Sequence, residues 1–217
     1  MRHRIGLLLC LVTLDLTGVS SRAAAEPYPD HDDAGEVRLY EGVVLGSGGT
    51  ADVRIKTSSG TIFNESDDLA TSVGGQVGLD VPVQRFLSLG AEVRLLSCIT
   101  RQLADYHADR DKLLDIGFKP RLRFSLRNAP FEFYLTVPVG FTVPFLHDQS
   151  FDTKVAAKTG WNIGAGAGVN WWLVHNFGLN WEPLFLFHKF NIYGPAEQNS
   201  STSLRQFTMF INAVVTL

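Results

Sequence analysis

Few side chains in this 217-residue chain have a type and spacing that suggest chemistry. His188 stands in Leu186-Phe187-His188-Lys189-Phe190, with Ser200, Ser201 and Ser203 a short way on. A histidine beside a serine is the pairing that activates a hydroxyl for attack on an ester. Asp105, His107, Asp109 and Asp111 form a second group, whose oxygen and imidazole donors suit a divalent cation. The third group is a set of charges that share one face of strand-like segments: Asp80, Glu92, Arg94, Asp115, Lys119, Arg121, Arg123, Glu132 and Glu182. Each group has a plainer reading. A polar histidine at the rim of an interior accounts for His188, and a solvated loop accounts for the Asp/His run. Cys98 reads as a small packed residue. From these residues we assign no catalytic residue, no metal and no cofactor, and we keep the nine charges as the candidate site.

The elements that must position those charges follow from composition and periodicity. Of the residues, 45% are hydrophobic and only 19% charged, with 20 Gly, 4 Trp, 5 Tyr and 15 Phe. The length suits one sizeable domain. A net charge of −3 with scattered Lys and Arg argues against nucleic-acid binding, which needs a basic patch. Two cysteines, Cys10 and Cys98, exclude a disulfide scaffold and a thiolate zinc site. Arg2 and Arg4, the apolar stretch Ile5–Leu16 and the small residues Ala23–Ala25 read as a cleaved secretory signal peptide over residues 1–25. Beyond it no run of about 18 apolar residues occurs, which excludes a helical membrane protein. A hydrophobic, glycine-rich chain without a spanning run needs another explanation.

The explanation is alternation. Leu87, Leu89, Ala91, Val93 and Leu95 alternate with Ser88, Gly90, Glu92 and Arg94. The same period of two runs through Val73–Val81, Leu114–Phe124, Phe131–Val143, Trp161–Trp171, Phe177–Phe187 and Phe207–Leu217, which is the strand signature. The first strand, about Val37–Gly48, is less clean, because Glu41 shares the parity of Leu39, Val43 and Leu45. Tight turns fall at Pro82–Arg85, Arg127–Pro130 and Leu173–Asn176. Longer polar connections fall at about Gly49–Leu69, Ala104–Asp111, His147–Ala157 and Asn191–Thr202. Short turns alternating with long loops over an even strand count is the outer-membrane barrel pattern. The predicted fold is therefore all-β, an eight-stranded antiparallel up-and-down transmembrane β-barrel over residues 37–217, preceded by a short periplasmic segment at 26–36.

The two faces decide which side looks inward. The apolar parity is crowded with Phe, Trp and Leu, which suits an open lipid surface. The other parity is rich in Gly, Ser, Thr and Asn, which suits a narrow eight-stranded interior. The nine charges fall on that second parity with near-equal signs. Buried charges are tolerated only when paired, so a salt-bridged lumen is expected. Trp161, Trp171, Trp181, Phe131, Phe145 and Phe177 sit on the apolar parity, mostly near strand ends, where interfacial girdles belong.

Stretches such as Gly164-Ala165-Gly166-Ala167-Gly168-Val169 and Gly178-Leu179-Asn180-Trp181-Glu182-Pro183, with a closing run of Met209, Ile211, Ala213, Val215 and Leu217, resemble the small eight-stranded outer-membrane barrels of the OmpA-transmembrane-domain and OmpX type. The resemblance covers about Val37–Leu217 and rests on architecture. It implies the bacterial outer membrane with both termini periplasmic. It implies outer-membrane lipid and lipopolysaccharide, the barrel-assembly machinery during biogenesis and an unknown extracellular partner as contacts. No peptidoglycan-binding domain is expected after the last strand. Lipid-hydrolysing barrels of this size use His and Ser, but the His-x-Ser pattern is absent, because Phe190 occupies the Ser position. A structural or surface-interaction role through the outer loops is the expectation. A small-solute channel, a lipid-modifying enzyme and a soluble periplasmic ligand-binding barrel stand as alternatives.

Overall fold

The computed structural model describes residues 35–56, 59–60, 62–69, 71–97, 112–126, 129–148, 153–193 and 199–217. The expected signal peptide, most of segment 26–36, Cys98 and the Asp105, His107, Asp109, Asp111 group lie outside the described residues. Ten strands are present: β1 (Arg38–Lys56), β2 (Ile62–Asp68), β3 (Ser72–Gln84), β4 (Leu87–Ser97), β5 (Lys112–Ser125), β6 (Phe131–Thr136), β7 (Val139–Asp148), β8 (Thr153–Val174), β9 (Phe177–Tyr193) and β10 (Asn199–Thr216).

They make eight staves. β2 and β3 pair with successive parts of β1, and β6 and β7 both lie between β5 and β8. The break between β6 and β7 falls at Val137-Pro138, where proline has no N–H to donate to the ladder. Pro138 still accepts from Gly164 N at 2.8 Å, and the in/out alternation carries across the break. Every pairing is antiparallel, and β10 closes the ring on β1 from Arg38↔Thr216 to Lys56↔Asn199. Among the described residues closure leaves an open edge at β2, beyond the apolar band, and the ring closed within the band, as a wall in hydrocarbon requires. The 11 residues of β4 rise about 28 Å at roughly 3.3 Å per residue and a tilt near 40°, enough to cross an apolar band about 25 Å tall.

The outer face carries the apolar residues: Val73, Phe141, Leu135 and Trp181 are all more than half exposed. A water-soluble protein rarely shows a contiguous apolar patch beyond about 300–600 Å², and here the patch encircles the wall. A soluble barrel would have the two faces exchanged. The phase of β1 is set by its partners: Arg38, Tyr40 and Val44 point in, and Glu41 points out between Ala213 and Val77. At the short-turn end, Gly35 N donates to Pro82 O, Leu217 N to Val37 O and Thr216 N to Asn176 O. The described ends of the barrel are therefore tied together there.

One expectation needs correction. The stretch Gly49–Leu69 is a hairpin rather than a polar loop, with β1 running on to Lys56 and β2 returning beside it. Likewise β9 runs to Tyr193 and β10 starts at Asn199, so these staves continue beyond the band. At Gly48 and Gly49, with φ of +63° and +148°, the ladder against β10 slips by one residue. Only glycine adopts such angles at low cost. The slip is a β-bulge, and it inverts the parity of β1: Ala51 is buried inside, whereas Asp52 and Arg54 face outward.

Candidate functional site

The interior is where the nine charges meet. Alternation places each on the concave face of its strand: Asp80 on β3, Glu92 and Arg94 on β4, Asp115, Lys119, Arg121 and Arg123 on β5, Glu132 on β6, Glu182 on β9. All nine are buried, Arg94, Asp115, Lys119 and Glu182 completely. The sequence reading missed a tenth, Arg38 on β1, also buried. With it the interior holds five carboxylates (Asp80, Glu92, Asp115, Glu132, Glu182) and five cations (Arg38, Arg94, Lys119, Arg121, Arg123) among the described residues. Arg38 was hidden because the parity of the first strand was ambiguous.

The charges form three linked groups. Toward the short turns, Glu132 accepts from Arg38 Nη1 at 2.9 and 3.1 Å, from Asn170 Nδ2 at 2.8 Å and from Arg123 Nη2. The Arg38 guanidinium lies 5.1 Å over Trp172. In the middle, Glu182 lies 2.6 Å from Lys119 Nζ and 3.5 Å from Arg121 Nη2, and it accepts from Tyr134 Oη. Arg121 also lies 3.4 Å from Asp80, and its guanidinium is held between Tyr40 and Tyr134 at 4.7 Å from each ring. Farther up, Glu92 lies 2.9 Å from Lys119 and 3.3 Å from Arg94, whose Nη2 is 3.6 Å from Asp115. An amide ladder, Gln76 to Asn212 to Asn180 to Asn170, joins the walls at 2.7–2.8 Å.

Two glycines make room for this packing. The Tyr40 ring lies on Gly78 and the Tyr134 ring on Gly168, each its register partner on the next strand, and a Cβ at either glycine would run into the ring. The remaining interior mixes buried polar residues such as Ser72, Gln206, Thr208 and Asn162 with an apolar cluster. The cluster runs from Phe210, which faces Arg94 and Lys119, through Val44, Leu96, Leu113, Leu184 and Leu186 to Ala51, Leu69 and Leu204 near the loop end. That cluster had no clear signal, since Val44, Leu96 and Leu113 neighbour apolar residues of the opposite parity.

His188 also points inward but is fully buried, away from any rim. Its Nε2 lies 2.9 Å from Asp115 Oδ2, and Thr142 Oγ1 donates to Asp115 Oδ1 at 2.6 Å. Ser201 and Ser203 have register partners Asn191 and Lys189 on the outward parity, so the wall separates them from His188. No group of three or more metal-donor side chains gathers among the described residues. On the outer face, Phe131 stacks on Trp171 at 6.1 Å near the short turns, and Trp161 meets Phe187 at 5.3 Å toward the loops. These are two levels at which aromatic girdles belong. Trp181 lies between them, its Nε1 donating to Met209 Sδ at 2.6 Å.

Solved structures share this architecture. The outer membrane protein OprG from Pseudomonas aeruginosa is similar over 86% of this chain and 97% of that one, at 12% identity and a TM-score of 0.61. AlkL, solved in lipid bilayers, is similar over 88% of this chain and 96% of its own, at 13% identity and a TM-score of 0.54. Neisserial surface protein A is similar over 82% and 99%, at 12% identity and a TM-score of 0.50. At these identities the likeness carries the fold alone. The sequence matches no protein-family model and no curated protein. The chain has the fold of the small eight-stranded outer-membrane β-barrels, the architecture anticipated from its alternation.

Proposed function

We propose that the chain is an integral outer-membrane barrel with both termini periplasmic, whose role is structural or surface-interacting through its loop-end segments. On this reading the lumen is plugged by side chains, is not a general diffusion pore and catalyses no reaction. The contacts are outer-membrane lipid and lipopolysaccharide, the barrel-assembly machinery during biogenesis and a partner outside the cell.

The observation that carries the reading is the filled interior. Five ion-paired carboxylates and a contiguous cluster of Leu, Val and Phe occupy the cross-section that a pore would need. An eight-stranded barrel has an interior just wide enough for its own side chains. Moving a hydrated solute through would require separating buried charge pairs, each of which costs several kcal/mol to break. Against catalysis, His188, which meets Asp115 inside the wall, is wholly buried, and the Thr142 hydroxyl that donates to the same Asp115 is buried with it. Planar-bilayer recording of the refolded protein tests the reading. The expected trace shows no steps on the scale of general porins, and sustained steps of that size would overturn it.

A further inference from the structure

The bulge at Gly48-Gly49 has a chemical result on the outside of the wall. Without it, Asp52, Arg54 and Lys56 would follow Arg38 and Tyr40 inward. With it, they join the outward face of β2, β9 and β10, Asp52 and Arg54 in two adjoining rows and Lys56 in the row beyond, beside Asn199 and Ile62. One row is Lys189, Ser203, Asp52, Ser66 and the next is Asn191, Ser201, Arg54, Asn64, each residue beside the last across a ladder. A cleft of about 480 Å³ opens over these rows, lined by Arg54, Lys189, Ser201, Ser203 and Asn64 among others.

Charge is unbalanced there. Asp52 is occupied, 3.6 Å from Arg205 Nη2 and accepting from Ser66 Oγ at 2.8 Å. Arg54, Lys56 and Lys189 are exposed and have no ion-pair partner among the described residues. Asp68, in register with Thr50, is the other acid on this face among the described residues. The height of the patch is fixed by its neighbours. Lys189 pairs in register with Trp161, and Arg205 with Phe187, the two residues whose rings meet at the loop-end girdle. The next ladder pair down is Phe185↔Phe207, inside the apolar band.

We infer that this outward cleft, just above the acyl-chain level, binds a phosphate-bearing lipid head group of the leaflet on the loop side. Three cations without an ion-pair partner among the described residues, Arg54 and Lys189 in the cleft and Lys56 beside it, match the phosphate, with the arginine able to grip it in two places. Serine and asparagine donors match neighbouring hydroxyls. The patch faces sideways rather than into the barrel mouth, so what lies against it is lipid and not a solute passing the entrance. Each cationic side chain near an anionic membrane surface strengthens binding several-fold. The inference rests on the membrane placement proposed above.

The test uses the full chain refolded into phosphatidylcholine nanodiscs doped with bisphosphorylated lipid A or its dephosphorylated form. Retained lipid is counted by native mass spectrometry after detergent release. Wild type should prefer the phosphorylated form roughly 10- to 100-fold, the range three such cations give. An R54Q/K56Q/K189Q variant should lose the preference, and K112Q, at an exposed loop-end position of β5, should keep it. Equal retention of both lipids by wild type, or a preference that survives the triple substitution, would overturn the site. Complete competition by millimolar inorganic phosphate would overturn the assignment to lipid. Failure of wild type to enter nanodiscs with heat-modifiable mobility would instead refute the membrane placement. Wild type alone decides the lipid question if the triple variant does not fold.

Discussion

Replacing Glu132 with Gln should be among the most damaging single changes in the barrel, and it should exceed the same change at Glu182. Glu132 takes hydrogen bonds from Arg38, Arg123 and Asn170 in a spot where Arg38 and Arg123 are only 2% exposed. Removing its charge leaves the Arg38 guanidinium buried against a neutral amide and takes the Glu132 carboxylate from Arg123 as well. Breaking a buried pair this way costs about 3–5 kcal/mol. Glu182 also meets two cations, but each keeps a second carboxylate: Lys119 retains Glu92 at 2.9 Å and Arg121 retains Asp80 at 3.4 Å. Its loss should therefore approach that of one charge-assisted hydrogen bond, roughly 1.5–3 kcal/mol. Reversible urea unfolding from lipid vesicles, followed by tryptophan fluorescence, measures both. A cost below about 1 kcal/mol at Glu132, against the 3–5 expected for a buried pair, or a larger loss at Glu182, would refute the idea that the interior is held by local charge pairing.

Other consequences concern the wall. Val93→Arg, at mid-strand on the outer face, should cost roughly 2–4 kcal/mol in the same refolding assay, as a cation at the bilayer midplane does. Glu41→Leu should stabilise, by no more than about 2 kcal/mol since acidic groups and positions off the midplane cost less than a central arginine; a loss of stability would mean that Glu41 does not face lipid. Gly168→Val should drive a side chain into the Tyr134 ring and cost about 1–3 kcal/mol by overpacking, with near-ultraviolet circular dichroism reporting the displaced tyrosine.

Fold class, strand count and the inward set were legible because most staves alternate cleanly through the apolar band. On β5 the period of two alone brings Asp115, Lys119, Arg121 and Arg123 to one face. Legibility failed where both faces are apolar or where parity changes. On β1, Tyr40 and Val44 inside and Leu39 and Val43 outside give hydrophobicity no contrast, and an outward Glu41 inverts the usual cue. Only pairing with β3 and β10 settles the phase and brings in Arg38. The bulge at Gly48-Gly49 shifts register by one residue, which no pattern across that point records. Yet Ala51-Asp52-Val53-Arg54 alternates after a glycine pair, and that was the available signal that the supposed loop is a strand. The ion pairs themselves depend on staves far apart in sequence: Arg38 and Glu132 are 94 residues apart.

The central claim is that the apolar face meets lipid while the charged face is enclosed. Nitroxide labels placed singly at Leu89, Ala91, Val93 and Leu95, in a Cys98→Ser background within lipid bilayers, test it most directly by power-saturation spectroscopy. The account predicts high collision with oxygen and little with a water-soluble nickel chelate at all four positions, with the contrast greatest at Ala91 and Val93. Strong nickel accessibility at Ala91 and Val93 would contradict it, because this face of β4 would then lie against water.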